Sequence, residues 1–272
     1  MEYMSLAEIH KAEAEMLKWL ANICENNNIP LCLSGGTVLG AIRHKGFIPW
    51  DDDIDLMLPR QEYDRLILLL EQLNDNRYSI VSMRDGISTF SYAKLIDKEI
   101  VLEQEEDTYE VTSNLWIDIF PVDGLQEDTN KVKGSYRHTK FLRMGLRVAS
   151  SRNMDAGSKL KRFVKPLVIL PAKIVGAHTW VKKLDRYCRK IEFGSTNNVG
   201  VLCAGYGYKE CMPYDEWIKY TKVEFEGEFY WVPGCWEYYL RSLYGDYMKL
   251  PPEDKRHTHD LKAYRRNHSE LT

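Results

Sequence analysis

The pattern of apolar and polar positions opens on an amphipathic helix. Leu6, Ile9, Met16, Leu17, Leu20 and Ile23 recur at helical spacing, and Ser5 with Glu8 three residues on forms a capping box. The run Asn26-Asn27-Asn28-Ile29-Pro30 stops it. The period then changes. Leu31, Cys32 and Leu33 suit a short buried strand, Gly35-Gly36 allows a tight turn, and residues 37–42 read as one or two helical turns. A second strand is expected over 54–58, followed by an amphipathic helix over Arg60–Leu73 with Tyr63, Leu66, Ile67 and Leu70 inward. Residues 78–83 and 90–96 predict paired strands around Arg84-Asp85-Gly86, residues 99–103 extend them, and 115–120 closes the sheet. This order predicts an α+β fold, a mixed sheet flanked by helices.

Residues 131–190 read as largely helical, with breaks near Gly157 and between Pro166 and Pro171. A hairpin is expected from 223–225 and 228–231 around Glu226-Gly227, and a helix over Trp236–Tyr244. Three regions follow: a core over 1–130, a helical insertion over 131–192, and a C-terminal region over 193–272 that completes the same globule. Trp217, Trp231, Trp236 and Tyr238 suit either stacking on a base or sugar and enclosure of a quaternary ammonium, or a second small core. The core is the simpler reading for any one ring.

Charge sharpens the division. The net charge of −3 conceals 17 Lys and Arg against two acids, Asp155 and Asp185, within residues 131–190, while the rest of the chain holds 20 bases and 38 acids. No aromatic-interleaved motif accompanies the basic stretch, so nucleic acid is not the expected partner. Peripheral contact with anionic lipid through 131–190, with Phe163, Val164, Leu167, Val168, Ile169 and Leu170 dipping into the interface, is one expectation. Docking of an anionic glycan is another, and a solvated helical unit paired with the acidic remainder is a third. The start Met1-Glu2-Tyr3-Met4 lacks the features of a signal peptide, and Lys165, Pro166, Pro171, Lys173 and His178 interrupt the most apolar stretch. Six cysteines form no C-x-x-C pair; Cys24 and Cys32, on apolar patterns, read as buried thiols, Cys203 and Cys211 lack the ligand spacing of a zinc site, and a reducing cytoplasm fits best.

The candidate chemistry lies at Asp51-Asp52-Asp53-Ile54-Asp55-Leu56. Alternation of carboxylate and aliphatic side chains marks a strand with one dry face, which aims Asp53 and Asp55 the same way, roughly 6–7 Å apart. Like charges so placed repel, and shared Mg²⁺ or Mn²⁺ ions would remove the repulsion. A solvated acidic loop after Pro49 is the plainer alternative. Upstream, strand, glycine turn and helix start together make an anion site from backbone N–H groups, with Arg43, His44 and Lys45 following.

The run from Leu33-Ser34-Gly35-Gly36-Thr37 through Arg43-His44-Lys45-Gly46-Phe47-Ile48-Pro49-Trp50 to Asp55 resembles the signature of the LicD family of phosphocholine transferases. That family belongs to the nucleotidyltransferase-fold superfamily and is related to fukutin-type ribitol-phosphate transferases. The resemblance implies a third carboxylate on a later strand, here Asp118 in Ile117-Asp118-Ile119-Phe120-Pro121. Phe225-Glu226-Gly227, Tyr244-Gly245-Asp246-Tyr247, and Pro251-Pro252 with Arg256 and His259 match further family segments, while the central stretch does not align.

The resemblance implies transfer of a phospho-alcohol, phosphocholine first, from a CDP-activated donor such as CDP-choline. The acceptor would be a hydroxyl of a cell-surface glycan (teichoic acid, lipopolysaccharide or capsule) or its lipid-linked precursor, and CMP would leave. Asp53, Asp55 and Asp118 would hold Mg²⁺ or Mn²⁺, with Asp118 the candidate proton acceptor. Ser34, Gly35, Gly36 and Thr37 would cradle the diphosphate, Arg43 and His44 would counter its charge, and Asp246, Arg256 and His259 would reach the donor. The expected location is cytoplasmic, including the inner membrane face. The same carboxylates would also serve NTP-dependent nucleotidyl transfer, and a non-catalytic binding protein on the same scaffold is a more distant alternative.

Overall fold

A computed structural model of the protein describes residues 2–86, 88–103, 112–151, 170–256 and 261–266. The first helix, α1 (Leu6–Asn26), starts on the expected capping box: Glu8 N–H donates to Ser5 Oγ, and the Glu8 carboxylate accepts from Ser5 N–H. Its buried stripe is Ile9, Ala12, Glu13, Met16, Leu17, Leu20 and Cys24, whereas Leu6 and Ile23 are only half-buried. Then follow β1 (Cys32–Leu33), α2 (Gly35–His44), β2 (Asp55–Pro59), α3 (Arg60–Leu73), β3 (Tyr78–Val81), β4 (Ala93–Leu102) and β5 (Asn114–Leu125). Beyond them lie α4 (Thr129–Ser150), α5 (Ala177–Cys188), β6 (Asn198–Gly200), β7 (Met212–Pro213) and α6 (Tyr214–Trp217). The hairpin β8 (Thr221–Phe225) and β9 (Glu228–Val232), α7 (Trp236–Tyr244) and β10 (Ala263–Arg265) complete the described elements.

The main sheet runs β10-β4-β5-β2-β1-β9-β8, with β3 on β4 and the pair β6-β7 on the far half of β5. It is mixed, as the element order predicts: β2 with β5 and β1 with β9 are parallel, and the other pairings are antiparallel. Side chains alternate across it. Leu33, Leu56, Leu95, Ile117 and Ile119 face one core with Met16, Leu17 and Leu20 of α1 and Leu66 of α3. Cys32, Met57, Phe120 and Val122 face a second core with Val132 and Tyr136 of α4, Leu184 of α5 and Tyr239 of α7. Each fully buried Leu or Met contributes about 1.5–3 kcal/mol.

Several boundaries differ from expectation. The acidic strand begins at Asp55, so Asp53 stands in the approach to it and not on it. Residues 90–96 and 99–103 are not separate strands: β4 is continuous, with its register against β5 shifting between Asp97 and Val101. β5 runs on to Leu125, because its second half pairs with β6. The basic stretch is helical over Thr129–Ser150 and Ala177–Cys188, with its inner faces packed into the second core and Arg189 paired with Asp64 of α3. Gly157, Phe163, Val164, Pro166, Leu167, Val168 and Ile169 lie outside the described residues.

Arg60, at the first position of α3, joins these layers. Its guanidinium donates to both oxygens of buried Asp123 at 2.7 Å and reaches Asp185 of α5 at 3.1 Å. Trp217 is fully buried between Phe193 and Tyr220, a core residue and not a stacking platform. All six cysteines are free thiols.

Candidate functional site

The glycine turn is built against β2. Ser34 N–H donates to the Asp55 carbonyl and Asp55 N–H donates to Thr37 Oγ1, both at 2.8 Å, which continues the β1-β2 pairing into the start of α2. Gly35 has φ +47°, and a Cβ there would lie 2.6 Å from Asp55 Oδ2; at Gly36 it would lie 2.9 Å from Asp51 Oδ2. The left-handed backbone at Gly35 favours glycine there, and at both positions a carboxylate lies close against the backbone.

The donors of this turn are partly engaged. Gly35 N–H donates to Tyr239 Oη at 3.3 Å, Ser34 Oγ lies 3.2 Å from the same hydroxyl, and Tyr239 Oη donates to Glu210 Oε2 at 3.1 Å. Ser34 and Gly35 thus bind inward, toward α7. The amides of Gly36 and Thr37, in the first turn of α2, are the ones that helix geometry leaves open to an anion.

Asp55 and Asp118 are register partners across the adjacent parallel strands β2 and β5, and Asp118 N–H donates to the Ile54 carbonyl at 2.9 Å. Asp53 stands two residues before Asp55, in the approach to β2. Burial raises the Asp55 carboxyl well above the ordinary range, and Asp53, Asp118, Asp51 and Glu210 raise it further. Glu13 of α1 is buried with neither carboxyl oxygen hydrogen-bonded; burial, then Asp53, Asp52, Asp51 and Asp118, raise it too. The site therefore concentrates carboxylates from α1, the approach to β2, β2 itself and β5.

One cation already stands among them. Lys94 of β4, 1% exposed, is the register partner of Asp118 on its other side, and its Nζ lies 2.5 Å from Asp118 Oδ1. The faces of Trp116, Tyr92 and Phe90 surround the ammonium at 4.6, 5.0 and 5.3 Å.

The donor set suits a hard divalent cation in its chemistry, since oxygen ligands under mutual repulsion gain most from one. Its arrangement is not closed: among the described residues, no three His, Cys, Asp or Glu side chains converge into a ready ion cage.

At the C-terminal end of α2 lies a basic cluster. Arg43 Nε donates to His44 Nε2 at 2.9 Å and Arg43 Nη1 to the Tyr247 carbonyl at 3.1 Å, while Arg256 lies over the Trp50 ring at 4.7 Å. Burial lowers the Arg43 pKa and the neighbouring Arg256 lowers it further; burial and Arg43 lower that of His44. The structure brings these three together. Asp246 is exposed beyond α7, and His259 lies outside the described residues. The Phe225-Glu226-Gly227 segment fastens the loop leading to Asp51. Glu226 N–H donates to the Lys45 carbonyl at 2.9 Å, and Phe47 N–H donates to Glu226 Oε1 at 3.1 Å.

Glu13, Lys94, Glu210 and Tyr239 were not among the expected site residues. One of them carries a visible signal, Glu13, which interrupts the apolar stripe between Ile9 and Leu17; Lys94 alternates with Ala93 and Leu95 and so reads as a solvent-facing strand position. Glu210 and Tyr239 carry none.

Comparison with known proteins shows what the chain is similar to. The family described as LicD/FKTN/FKRP, nucleotidyltransferase domain, matches residues 28–144, from the end of α1 to the middle of α4. The chain is 29% identical over 266 residues to the lipopolysaccharide cholinephosphotransferase LicD of Haemophilus influenzae, spanning 96% of this chain and 98% of that one. Uncharacterized proteins of Rickettsia prowazekii and Rickettsia typhi are each 33% identical over 66 residues, 24% of this chain and 25% and 21% of theirs.

Proposed function

The chain belongs to the LicD family, and on that premise we propose that it is a phosphotransferase that moves phosphocholine onto a cell-surface glycan or its lipid-linked precursor. The donor in this reading is a CDP-alcohol, CDP-choline first, and CMP is released. The observation that carries the reading is the pairing of Asp55 with Asp118 beside a glycine turn in which Gly35, at φ +47°, brings the backbone against the Asp55 carboxylate.

Asp53, Asp55 and Asp118 would hold Mg²⁺ or Mn²⁺, which supplies neutralisation of phosphate charge and a lowered pKa of the acceptor hydroxyl. The Gly36 and Thr37 amides, at the N-terminal end of α2, receive the diphosphate, and Arg43, His44 and Arg256, at its C-terminal end, counter negative charge elsewhere on the donor. The acceptor oxygen forms its bond to the phosphorus bearing the head group as the phosphoanhydride bond breaks, and CMP departs with the electron pair. The hydroxyl proton passes to Asp118, which the Lys94 ammonium favours in its ionised, accepting form. In this reading the protein acts from the cytoplasm on an acceptor at the inner membrane face; among the described residues no helix is long and apolar enough to cross a membrane.

The test is CMP release from a panel of CDP-alcohols by the purified protein with Mg²⁺, followed by mass spectrometry of the acceptor glycan. CDP-choline should be turned over and Asp55→Ala should abolish turnover. Pyrophosphate release from a nucleoside triphosphate in its place would replace phosphotransfer by nucleotidyl transfer.

A further inference from the structure

The face formed by α4, residues 170–175 and α5 has no role in the chemistry above, yet it combines two unusual features. The first is apolar exposure: Phe141 and Met144 of α4 are 56% and 57% exposed, and Leu170 and Ile174 are 62% and 77% exposed. Trp180 of α5 gathers them. The Phe141 ring meets it edge-on at 6.1 Å, Gly145 admits it against the α4 backbone, and its Nε1 donates to the Ala172 carbonyl at 3.1 Å, between Leu170 and Ile174. Large side chains left open around a shared aromatic centre form a patch, unlike isolated exposed residues.

The second feature is charge of one sign. Arg137, Lys140, Phe141 and Met144 follow one another along the exposed stripe of α4. Lys173, Lys182, Lys183 and Arg186 are exposed beside it, with Lys183 Nζ over the Trp180 ring at 5.3 Å. α4 contains no acid, and Asp185, the one acid of α5, is turned inward onto Arg60 and Arg189. Neither helix therefore sets an outward carboxylate against these cations.

We propose that this face is a docking surface for an anionic lipid bilayer, with Phe141, Met144, Leu170 and Ile174 entering the headgroup boundary and the lysines and arginines meeting lipid phosphates. A soluble polyanion would use the cations and leave the apolar side chains in water; a bilayer takes up both. The surface is separate from the carboxylate site and stands independently of the reaction assigned to it.

Vesicle sedimentation of the full chain tests this, with phosphatidylcholine alone against mixtures holding about 30 mol % phosphatidylglycerol. The expected result is binding to the anionic vesicles only. Phe141→Ser with Met144→Ser should weaken it about tenfold or more, and Lys140→Ser with Lys183→Ser to a similar extent. Turnover of a water-soluble acceptor should be unchanged in both double variants, which separates docking from catalysis. No binding to anionic vesicles, or equal binding to neutral ones, overturns the proposal. So does anionic binding that the apolar double variant leaves intact, which would assign the face to soluble polyanions such as heparin.

Discussion

Lys94 and Asp118 stand opposite each other on β4 and β5 and form an ion pair withdrawn from solvent, at the strand position that also pairs Asp118 with Asp55. A buried charge without its partner is costly, so removing either member should be felt through the whole fold. Lys94→Met is expected to lower unfolding free energy by about 3–5 kcal/mol, measured in urea. Added Mn²⁺ should raise the melting temperature of the variant more than that of the wild type, since the ion then replaces the lost cation. A loss under about 1 kcal/mol would mean that the pair holds nothing together.

Gly35 admits no side chain. Its φ of +47° and the 2.6 Å approach to Asp55 Oδ2 predict that Gly35→Ala loses about 1–3 kcal/mol and all transferase activity. Gly86→Ala is the control: its φ of +76° is equally left-handed, but a Cβ there meets nothing within 4 Å. It should lose about 1–2 kcal/mol and keep its activity. Equal activity in both variants would dissociate the glycine turn from the chemistry.

Glu210 should make stability depend on pH. Burial raises its carboxyl from 4.5 to about 8, against the opposing bond from Tyr239. The folded state therefore binds a proton more tightly than the unfolded one, and the group's contribution is fully present below 4.5 and lost as pH rises through 8. Burial shifts Glu13 and Asp55 in the same direction, so the useful quantity is the difference between Glu210→Gln and wild type. The variant should gain on the wild type steadily from pH 5 to pH 8 in paired denaturation curves. Parallel curves across that interval would remove the assignment.

Tyr239→Phe deletes the hydroxyl shared by Gly35, Ser34 and Glu210. A cost of about 1–3 kcal/mol is expected from the polar groups left buried. Loosening of the turn should raise KM for the CDP-alcohol more than it lowers kcat. An unchanged KM with a reduced kcat would place the hydroxyl in the chemical step.

Glu226→Ala should free the loop before Asp51 by removing the acceptor for Phe47 N–H. Limited proteolysis between Lys45 and Trp50, slow in the wild type, should become rapid, with a loss of about 1–2 kcal/mol. Unaltered cleavage would show that β8-β9 packing alone secures the loop.

The sequence by itself determined what near neighbours decide. The capping box starts α1, Arg60–Leu73 and Trp236–Tyr244 fall on their helices as the period predicts, and the mixed sheet follows from the element order. The Gly35-Gly36 turn and the acidic run were legible as a site for the same reason, because their chemistry lies within one short segment. Only the tertiary structure set Asp118 beside Asp55, put Lys94 between the third carboxylate and three aromatic rings, and joined Glu210 through Tyr239 to the glycine turn. Apart from the Tyr92 and Phe90 rings beside Lys94, those contacts join residues 22 to 204 positions apart, and no local period encodes a partner at such range. It also moved Asp53 off the strand, because pairing with β5 and β1, not alternation alone, decides where β2 begins.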